Sequence, residues 1–480
     1  MLLRGGDQTK GPRPAARPVR PVRTLRMAGR AAVAGVLLVG GVGLTLRGEA
    51  PSPPRVIARS VAASPGALTA AAASATGGVD GQQTVADALG RALTTGDASG
   101  LSDIVDPGAP AVLARWRAVV QSVHALGLTN MSYTVGTPTR APTAVAGWDQ
   151  VGQIGLTVVY RMAGWDPAPA QAQVSLAEGL RGSRWRLIAD PAPSSTPSAA
   201  PSSNPVDPWL LGPVSVARTA HVLVIGDPGQ PKDLQGLAAR LEAAVSAVRR
   251  VVTSDHWNGK VVAYASRAPG FVSAWFGAAA ATGVTPAGRE PATFAAEVRS
   301  LGQVSRLAVT PFLITRNDDR SRAVLRHEVT HVALAGSGVA AMPTWLAEGT
   351  AEFVAYGGSA SGKVDAVTAL SQRGLPQPTW RALRTGGWQP VLADRAEEFY
   401  SGSTAIVGDH YTAAWLTCLY VATHYGQPAL FALYAAAATG TATDPAALEA
   451  TALRQVLHTD RRVLTKSVAA FAHDLRNKFV

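Results

Sequence analysis

Two histidines and a glutamate near residue 330 form the pattern in this sequence that is best suited to chemistry. His327 and His331 are four residues apart, so on a helix their imidazoles lie on one face and can reach a single cation. Glu328 lies one step round the helix, where it can take a proton from an attacking water without being a ligand. The pattern indicates a metal site; the alternative is a buried helix with two hydrogen-bonded histidines.

A glutamate downstream completes a set of three metal ligands. The segment 343–353 reads PTWLAEGTAEF, and its proline is a residue type that begins helices. The sixteen residues between His331 and Glu348 are enough for a loop that brings a second helix antiparallel to the first. Glu348 is then the third ligand and leaves a tetrahedral position open, as catalytic sites require. Glu352 lies one turn further on, where its carboxylate can accept the other ring N–H of one histidine.

With these motifs the sequence resembles the gluzincins, the zinc metallopeptidases that carry H-E-x-x-H and a downstream glutamate. It is most similar to the bacterial peptidase MA-like group, whose second motif has the form P-x-W-L-x-E-G-x-A-E, and the resemblance covers most of 209–480. The resemblance implies Zn²⁺ held by His327, His331 and Glu348, with Glu328 as general base. No G-x-M-E-N motif precedes the first histidine, so amino-terminal trimming is not supported.

A tyrosine further along the chain matches another family feature. Tyr411 begins the stretch YTAAW, which leads to a Tyr-Gly pair at 425–426; the small residues fall one place earlier than in the family form. The resemblance implies that the Tyr411 hydroxyl donates a hydrogen bond to the developing oxyanion. His410 and Tyr400 are substitutes for this role. The alternative for Tyr411 is a packing tyrosine at the start of a helix.

The elements that must position these residues are first strands that alternate with helices and then helices alone. Strand-like runs are His221–Ile225, Lys260–Ala265 and Arg306–Leu313, and helical patterns are Asp233–Val252, Pro269–Phe276 and Arg320–Ala335. A mixed-sheet lobe followed by an all-helical lobe leaves a groove, which is a common place for an active site. Because Pro311 lies within its run, Arg306–Leu313 is interpreted as an edge strand, which either pairs with an extended substrate or is an ordinary edge. Asp318-Asp319 is interpreted as a helix-start cap rather than a calcium site.

Residues 83–190 are predicted to form a separate unit. Helical patterns over Val85–Leu93 and Val112–Leu126 precede several strand-like runs, which favours an α+β layer. The order is similar, in pattern only, to the NTF2-like superfamily. Its tryptophans line a ligand pocket or, as is more common, belong to the core. Segments rich in Ala, Ser and Pro at 47–82 and 191–208 are predicted to be linkers.

The N-terminal segment predicts a membrane anchor and its orientation. Residues 1–30 carry eight Arg and Lys residues and one Asp, a net charge of +7 out of +12 for the chain. Residues 31–46 carry no charge and, extended back to Met27, approach the length that crosses a bilayer. The basic tail then stays in the cytoplasm and the body lies outside the membrane. The alternative is a cleaved signal peptide, followed by secretion.

These features predict an α+β protein in which an NTF2-like domain precedes a gluzincin, thermolysin-like catalytic domain at 209–480. The expected function is a membrane-anchored, outward-facing zinc endopeptidase that acts on a peptide or protein. A nucleic-acid partner is excluded because the positive charge is concentrated in the tail. The rival is a non-catalytic zinc-containing scaffold of the cell envelope, against which Glu328 argues because a scaffold needs no base. The single cysteine, Cys418, excludes an internal disulfide and is expected to be a buried hydrophobe.

Overall fold

The computed structural model describes residues 79–145, 147–189, 207–268, 271–272, 275, 296–301, 304–335 and 342–479. Over these residues the chain is a mixed α+β fold with two β-sheets, which confirms the predicted fold class. The predicted basic tail at 1–30 and anchor at 31–46 lie outside the described residues. Within the described part, no helix is both long enough and apolar enough to span a bilayer.

Three helices followed by four antiparallel strands form the first part. The elements are α1 (Val79–Thr95), α2 (Leu101–Ile104), α3 (Pro110–Leu126), β1 (Leu128–Val145), β2 (Trp148–Met162), β3 (Ala170–Arg181) and β4 (Arg184–Ala189). The strands pair in chain order, each antiparallel to the next. Every second residue is buried in β2 from Gly152 to Met162 and in β3 from Ala170 to Glu178. Leu156 and Val174 of these strands share one core with Leu89 and Trp116 of the helices. This alternation is typical of a sheet with one face on a core.

The second sheet is mixed. A short helix, α4 (Pro208–Leu211), leads to β5 (Ser215–Arg218), β6 (Val222–Gly226), β7 (Val261–Ala265), β8 (Ala296–Leu301) and β9 (Val304–Val309). The spatial order is β5-β6-β7-β9-β8, in which the three central strands are parallel and β5 and β8 are antiparallel edges. Helix α5 (Pro231–Arg249) connects β6 to β7, and every residue of these two strands is buried. Such continuous burial requires cover on both faces.

The interpretation of Arg306–Leu313 as an edge strand is wrong. Strand β9 ends at Val309 and lies between β7 and β8, so both of its sides are hydrogen bonded. Pro311 does not lie in a strand, because it occupies the first turn of helix α6 (Pro311–Thr315), where its missing N–H costs nothing. A substrate therefore cannot pair with this segment.

The rest of the described chain is helical, as predicted. The helices are α7 (Asp319–Leu334), α8 (Thr344–Tyr356), α9 (Ala366–Arg373), α10 (Gln377–Arg384), α11 (Ala396–Phe399), α12 (Thr404–His424), α13 (Gln427–Ala438), α14 (Pro445–Ala452) and α15 (Arg461–Phe479). A π-helical turn at Leu453–Leu457 follows α14. Helix α8 packs against both α7 and α12, so it lies at the centre of this part.

The two parts of the chain share a buried core. Val222 and Val224 of β6 face the core formed with α5 and α7, whereas Leu223 and Ile225 belong to the core of the first sheet and its helices. The first part thus supplies the cover on the second face of the mixed sheet. The two predicted units therefore meet at the mixed sheet, because one face of that sheet belongs to the same hydrophobic cluster as the first part.

A buried polar network crosses this interface. The guanidinium of Arg306 on β9 donates to both carboxylate oxygens of Asp166 at 2.7 and 2.8 Å, and its Nε donates to the Tyr264 hydroxyl at 3.1 Å. Tyr160 on β2 donates to Asp207 at 2.5 Å. Both side chains of the Arg306–Asp166 pair are 1% exposed, so the charges are removed from water in the folded chain.

The boundaries of both predicted linkers differ from the structure where it describes them. Helix α1 begins at Val79 and includes Gln82, which is fully buried although it lies in the predicted linker 47–82. Asp207, near the end of the predicted linker 191–208, is also buried, and α4 begins at the next residue. Composition marks these segments as linkers, but burial against the sheets decides where the fold begins.

Candidate metal centre

Helix α7 carries the H-E-x-x-H pattern and begins with a capping box. Asp318 Oδ1 accepts a hydrogen bond from the Ser321 backbone N–H at 2.7 Å, and Ser321 Oγ accepts one from the Asp318 N–H at 3.1 Å. This confirms Asp318 as the helix-start cap. Two turns later, His327 and His331 lie on one face with ring centroids 4.7 Å apart. The helix therefore fixes the spacing of the two imidazoles.

Helix α8 brings Glu348 to the same place. Pro343 precedes the helix, and the backbone N–H groups of Thr344 and Trp345 donate to the carbonyl oxygens of Asp394 and Ala393 at 2.8 and 3.1 Å. Two of the N–H groups that a helix start leaves without intrahelical partners are satisfied in this way. The loop before α11 thus anchors the first turn of α8, and Glu348 lies one turn beyond it.

The donor atoms of the three predicted ligands converge. Nε2 of His327 lies 3.0 Å from Nε2 of His331 and 3.1 Å from Oε2 of Glu348, and His331 Nε2 lies 3.6 Å from Oε1 of Glu348. Ligands bound at about 2.0–2.1 Å in a tetrahedron lie about 3.3 Å from one another, and both distances from His327 are close to this value. With one ligand atom taken from each residue, all three atoms lie within 4.8 Å of one another, so the set could hold one ion. All three side chains are buried, and no other set of His, Cys, Asp and Glu in the described residues is placed to hold a metal.

Electrostatics at the site favour a cation. Burial alone lowers the pKa of His327, but hydrogen bonds to Glu348 and Glu352 raise it to about 10. Burial raises the pKa of Glu348, yet His331 and His327 hold it well below its ordinary value. Burial likewise opposes ionisation of Glu352, whose pKa Arg373 and His327 nevertheless lower. Two ionised carboxylates therefore face the imidazoles, an arrangement that a divalent cation complements.

Glu328, the predicted general base, is completely buried on α7 beside the first ligand. It is not one of the three side chains whose ligand atoms converge. Its charge acts on His327, since it contributes to raising the pKa of that ring. Glu328 therefore lies next to the first ligand but outside the set of three, as the H-E-x-x-H pattern expects of a general base.

Glu352 lies beside His327, and an arginine that no sequence motif singles out contacts its other oxygen. Oε1 of Glu352 is 3.3 Å from Nδ1 of His327, the ring nitrogen that points away from the converging donors. Oε2 accepts a hydrogen bond from Nε of Arg373 at 2.7 Å. Arg373 is the last residue of α9, and nothing in its local sequence marks it as part of a site.

Tyr400 follows α11 and is directed at a ligand. Its hydroxyl donates to Oε1 of Glu348 at 2.8 Å. Burial, followed by the Glu348 charge, raises the pKa of Tyr400 well above its ordinary value, so the hydroxyl keeps its proton. This contact gives Tyr400 a role in orienting Glu348, which differs from the substitute oxyanion donor that the sequence suggests.

Tyr411 lies on α12 beside the first ligand. Its ring centroid is 6.4 Å from that of His327 and 4.9 Å from that of Phe399. Burial and the Glu348 charge raise the pKa of Tyr411 well above its ordinary value, so it is a neutral hydrogen-bond donor. Neighbouring His410 instead uses its Nδ1 to donate to the Phe399 carbonyl at 2.7 Å. Of the three candidate donors, Tyr411 combines proximity to a histidine ligand with a hydroxyl.

Gly349 explains how α12 comes close enough to bring Tyr411 to the site. A Cβ at this position would lie 2.5 Å from the carbonyl oxygen of Ala414 and 2.7 Å from Sγ of Cys418. Both distances are too short for a real side chain, so only glycine permits this helix contact. Cys418 is fully buried there, as expected for a small hydrophobe.

The chain matches no protein-family model, no curated protein and no solved structure. The resemblance to gluzincins therefore rests on the motifs quoted above. The convergent His327, His331 and Glu348 are an independent observation, since they come from the packing of α7 against α8.

Proposed function

We propose that this protein is a zinc-dependent endopeptidase of the gluzincin type. The observation that carries the proposal is the convergence of His327, His331 and Glu348, whose ligand atoms, one from each residue, lie within 4.8 Å of one another in a buried site. Two imidazoles and one carboxylate are a ligand set that catalytic zinc sites use. The buried Glu328 beside the ligands supports an enzyme, because a metal that only stabilises a fold needs no base.

The architecture is part of the proposal. The helices and antiparallel sheet over residues 79–189 fit an NTF2-like accessory domain, and the mixed sheet and helices from 207 onward fit a gluzincin catalytic domain. The charge pattern of residues 1–46 supports a single membrane anchor with a cytoplasmic N-terminus and an extracytoplasmic catalytic part. The substrate is accordingly a peptide or protein outside the cytoplasm.

The residues of the site divide the work of this reaction among them. His327, His331 and Glu348 would hold a zinc ion, which would supply Lewis acidity toward the substrate carbonyl and toward water. Glu328 takes a proton from the attacking water and later gives it to the leaving amine. Tyr411 donates a hydrogen bond to the oxygen that becomes negative as the carbonyl is attacked. Tyr400 and Glu352 hold Glu348 and His327 in place.

The test measures metal content and cleavage in the full-length protein. Wild type should retain about one zinc per chain and cleave members of a complex peptide mixture, and His331→Ala should lose most of the metal. Glu328→Gln should retain zinc and abolish cleavage, because an amide cannot accept the proton. The matched control is Glu397→Gln, the same change at an exposed glutamate of α11, which should leave both properties unchanged.

The same experiment separates the enzyme from its rival. A wild-type protein that holds zinc but cleaves nothing, and whose biological role survives Glu328→Gln, would be a zinc-containing scaffold of the cell envelope. A wild-type protein that holds no zinc would contradict both functions.

A further inference from the structure

The carboxylate of Glu352 contacts two side chains, the imidazole of His327 and the guanidinium of Arg373. Its Oε1 lies 3.3 Å from His327 Nδ1 and its Oε2 accepts the Nε–H of Arg373 at 2.7 Å. The Glu352 side chain is 4% exposed and that of Arg373 is 11% exposed. Because water is excluded, both oxygens depend on these two contacts for their orientation.

Arg373 is itself held from a second side. Its guanidinium carbon lies 4.7 Å from the ring centroid of Trp415, and its Nη1 donates to the Gly374 carbonyl at 3.3 Å. Trp415 is fully buried on α12, one helical turn after Tyr411. The arginine therefore lies between the helix that carries Glu352 and the helix that carries Tyr411.

We propose that Arg373 is a positioning residue of the metal centre, which acts through Glu352 on the His327 ring. A guanidinium on Oε2 leaves Oε1 as the acceptor for the Nδ1–H of His327, which fixes the tautomer and directs Nε2 at the metal. Arginine and lysine are not equivalent here, because the hydrogen bond to Glu352 comes from Nε–H and lysine has no N–H group at that distance from the backbone. This inference rests on the proposed metal site but does not depend on which bond the enzyme cleaves.

The test compares Arg373→Lys and Arg373→Met with wild type in the full-length protein. Affinity for Zn²⁺ and Co²⁺ is measured by competition with a chelator, and the visible absorption of bound Co²⁺ reports the ligand geometry. Arg373→Met should lose about 10–100-fold in metal affinity and alter the Co²⁺ spectrum, with a smaller loss in Arg373→Lys. With saturating zinc, kcat should fall while KM stays within about twofold, because no substrate contact is removed.

Two comparisons make the outcome specific. Arg384→Met removes an exposed arginine at the end of α10 and should change nothing. If Arg373 acts through Glu352, adding Arg373→Lys to Glu352→Gln should cost less affinity than it costs in wild type, since both changes break the same link.

Each result counts for or against the proposal. A folded Arg373→Lys or Arg373→Met protein with wild-type metal affinity and Co²⁺ spectrum would overturn it, and if Arg373→Met fails to fold, Arg373→Lys decides. If wild type binds metal but cleaves no peptide, the proposed peptidase fails while the affinity measurements still judge Arg373. If wild type binds no metal, both proposals fail.

Discussion

Arg306 and Asp166 form a buried two-pronged salt bridge although they lie 140 residues apart in the sequence. Asp166 follows β2 of the first sheet, and Arg306 lies on β9 of the second. Buried pairs are costly to break, because the remaining charge has no water and no partner. The first sheet and the mixed sheet are thereby coupled, and the first part serves as a structural layer of the second.

This coupling predicts that the mixed-sheet part is unstable without the first part. Arg306→Met should lower the free energy of unfolding by about 3–5 kcal/mol, because Asp166 stays buried and loses its guanidinium partner. Chemical denaturation of the full-length protein measures this change. The double variant Arg306→Met/Asp166→Asn should recover part of the loss.

A truncated chain that starts at Asp207 gives the complementary test. It exposes Leu223, Ile225 and Tyr264, which belong to the core shared with the first sheet, so it should be insoluble or bind hydrophobic dyes. The matched control for Arg306→Met is Arg267→Met, which removes an exposed salt bridge with Asp233. It should lower the free energy of unfolding by less than about 1 kcal/mol. A soluble, cooperatively unfolding truncated chain would contradict the coupling.

The ligands of the candidate metal site are predictable from the sequence for a local reason. His327 and His331 share a helix face by periodicity, and Glu348 belongs to a second short motif that begins a helix. In both cases the residues of the motif lie within a single helix. Only the packing of α7 on α8 had to be assumed, and the sixteen-residue spacing allows it.

The residues that the sequence does not reveal reach their places through tertiary packing. Arg373 ends a separate helix and contacts Glu352 only because α9 packs against α8. Arg306 and Asp166 likewise have no local signal. Pro311 led to a wrong prediction of an edge strand for a different reason. An apolar run that contains a proline is compatible with an edge strand and also with the start of a helix.

Gly349 gives a prediction about the contact between α8 and α12. Gly349→Ala places a Cβ 2.5 Å from the Ala414 carbonyl oxygen, so the helices must separate. We expect a loss of about 1–3 kcal/mol in the free energy of unfolding and a lower kcat, because Tyr411 moves with α12. Urea denaturation and steady-state kinetics measure the two effects.

The matched control for this change is Gly236→Ala on α5. An added Cβ at Gly236 meets no atom within 4 Å, so alanine should stabilise the protein by about 0.5–1 kcal/mol through its higher helix propensity. If Gly349→Ala were as stable and active as Gly236→Ala, the close approach of the helices would not be needed.

Glu178 gives a prediction about pH. It is fully buried on β3, and burial, only partly offset by Gln82, raises its pKa to about 9 from the ordinary 4.5. Between these two values the folded chain keeps a proton that the unfolded chain releases, so the free energy of unfolding falls as the pH rises. Glu178→Gln removes this loss. The Tm of the variant should therefore exceed that of wild type by at least about 2 °C at pH 8.

The difference in Tm should shrink towards pH 5, where wild-type Glu178 binds a proton in the unfolded chain as well for part of the time. Thermal unfolding at several pH values measures it. Glu397→Gln, at an exposed position, should follow wild type throughout. Parallel Tm curves for wild type and Glu178→Gln between pH 5 and 8 would show that Glu178 is ionised in the folded chain.

Tyr400 and Tyr411 should produce different defects, although both are tyrosines of the candidate site whose pKa the Glu348 charge raises. Tyr400 contacts the ligand, so Tyr400→Phe should weaken zinc retention by about 10–100-fold. Tyr411 acts on the reacting carbonyl in the proposed mechanism, so Tyr411→Phe should keep zinc and lower kcat by about 10²–10³, with little change in KM. Chelator competition and steady-state kinetics on peptides distinguish the two variants.

The control for both tyrosines is Tyr425→Phe, which removes a hydroxyl from an exposed residue at the other end of α12. It should match wild type in zinc retention and in kcat. The opposite assignment makes a distinct prediction, since Tyr400 would then be the oxyanion donor and Tyr400→Phe would lower kcat at saturating zinc. If Tyr411→Phe cleaves as fast as wild type while Tyr400→Phe does not, the two roles are exchanged, and the Tyr400–Glu348 hydrogen bond must break before substrate is attacked.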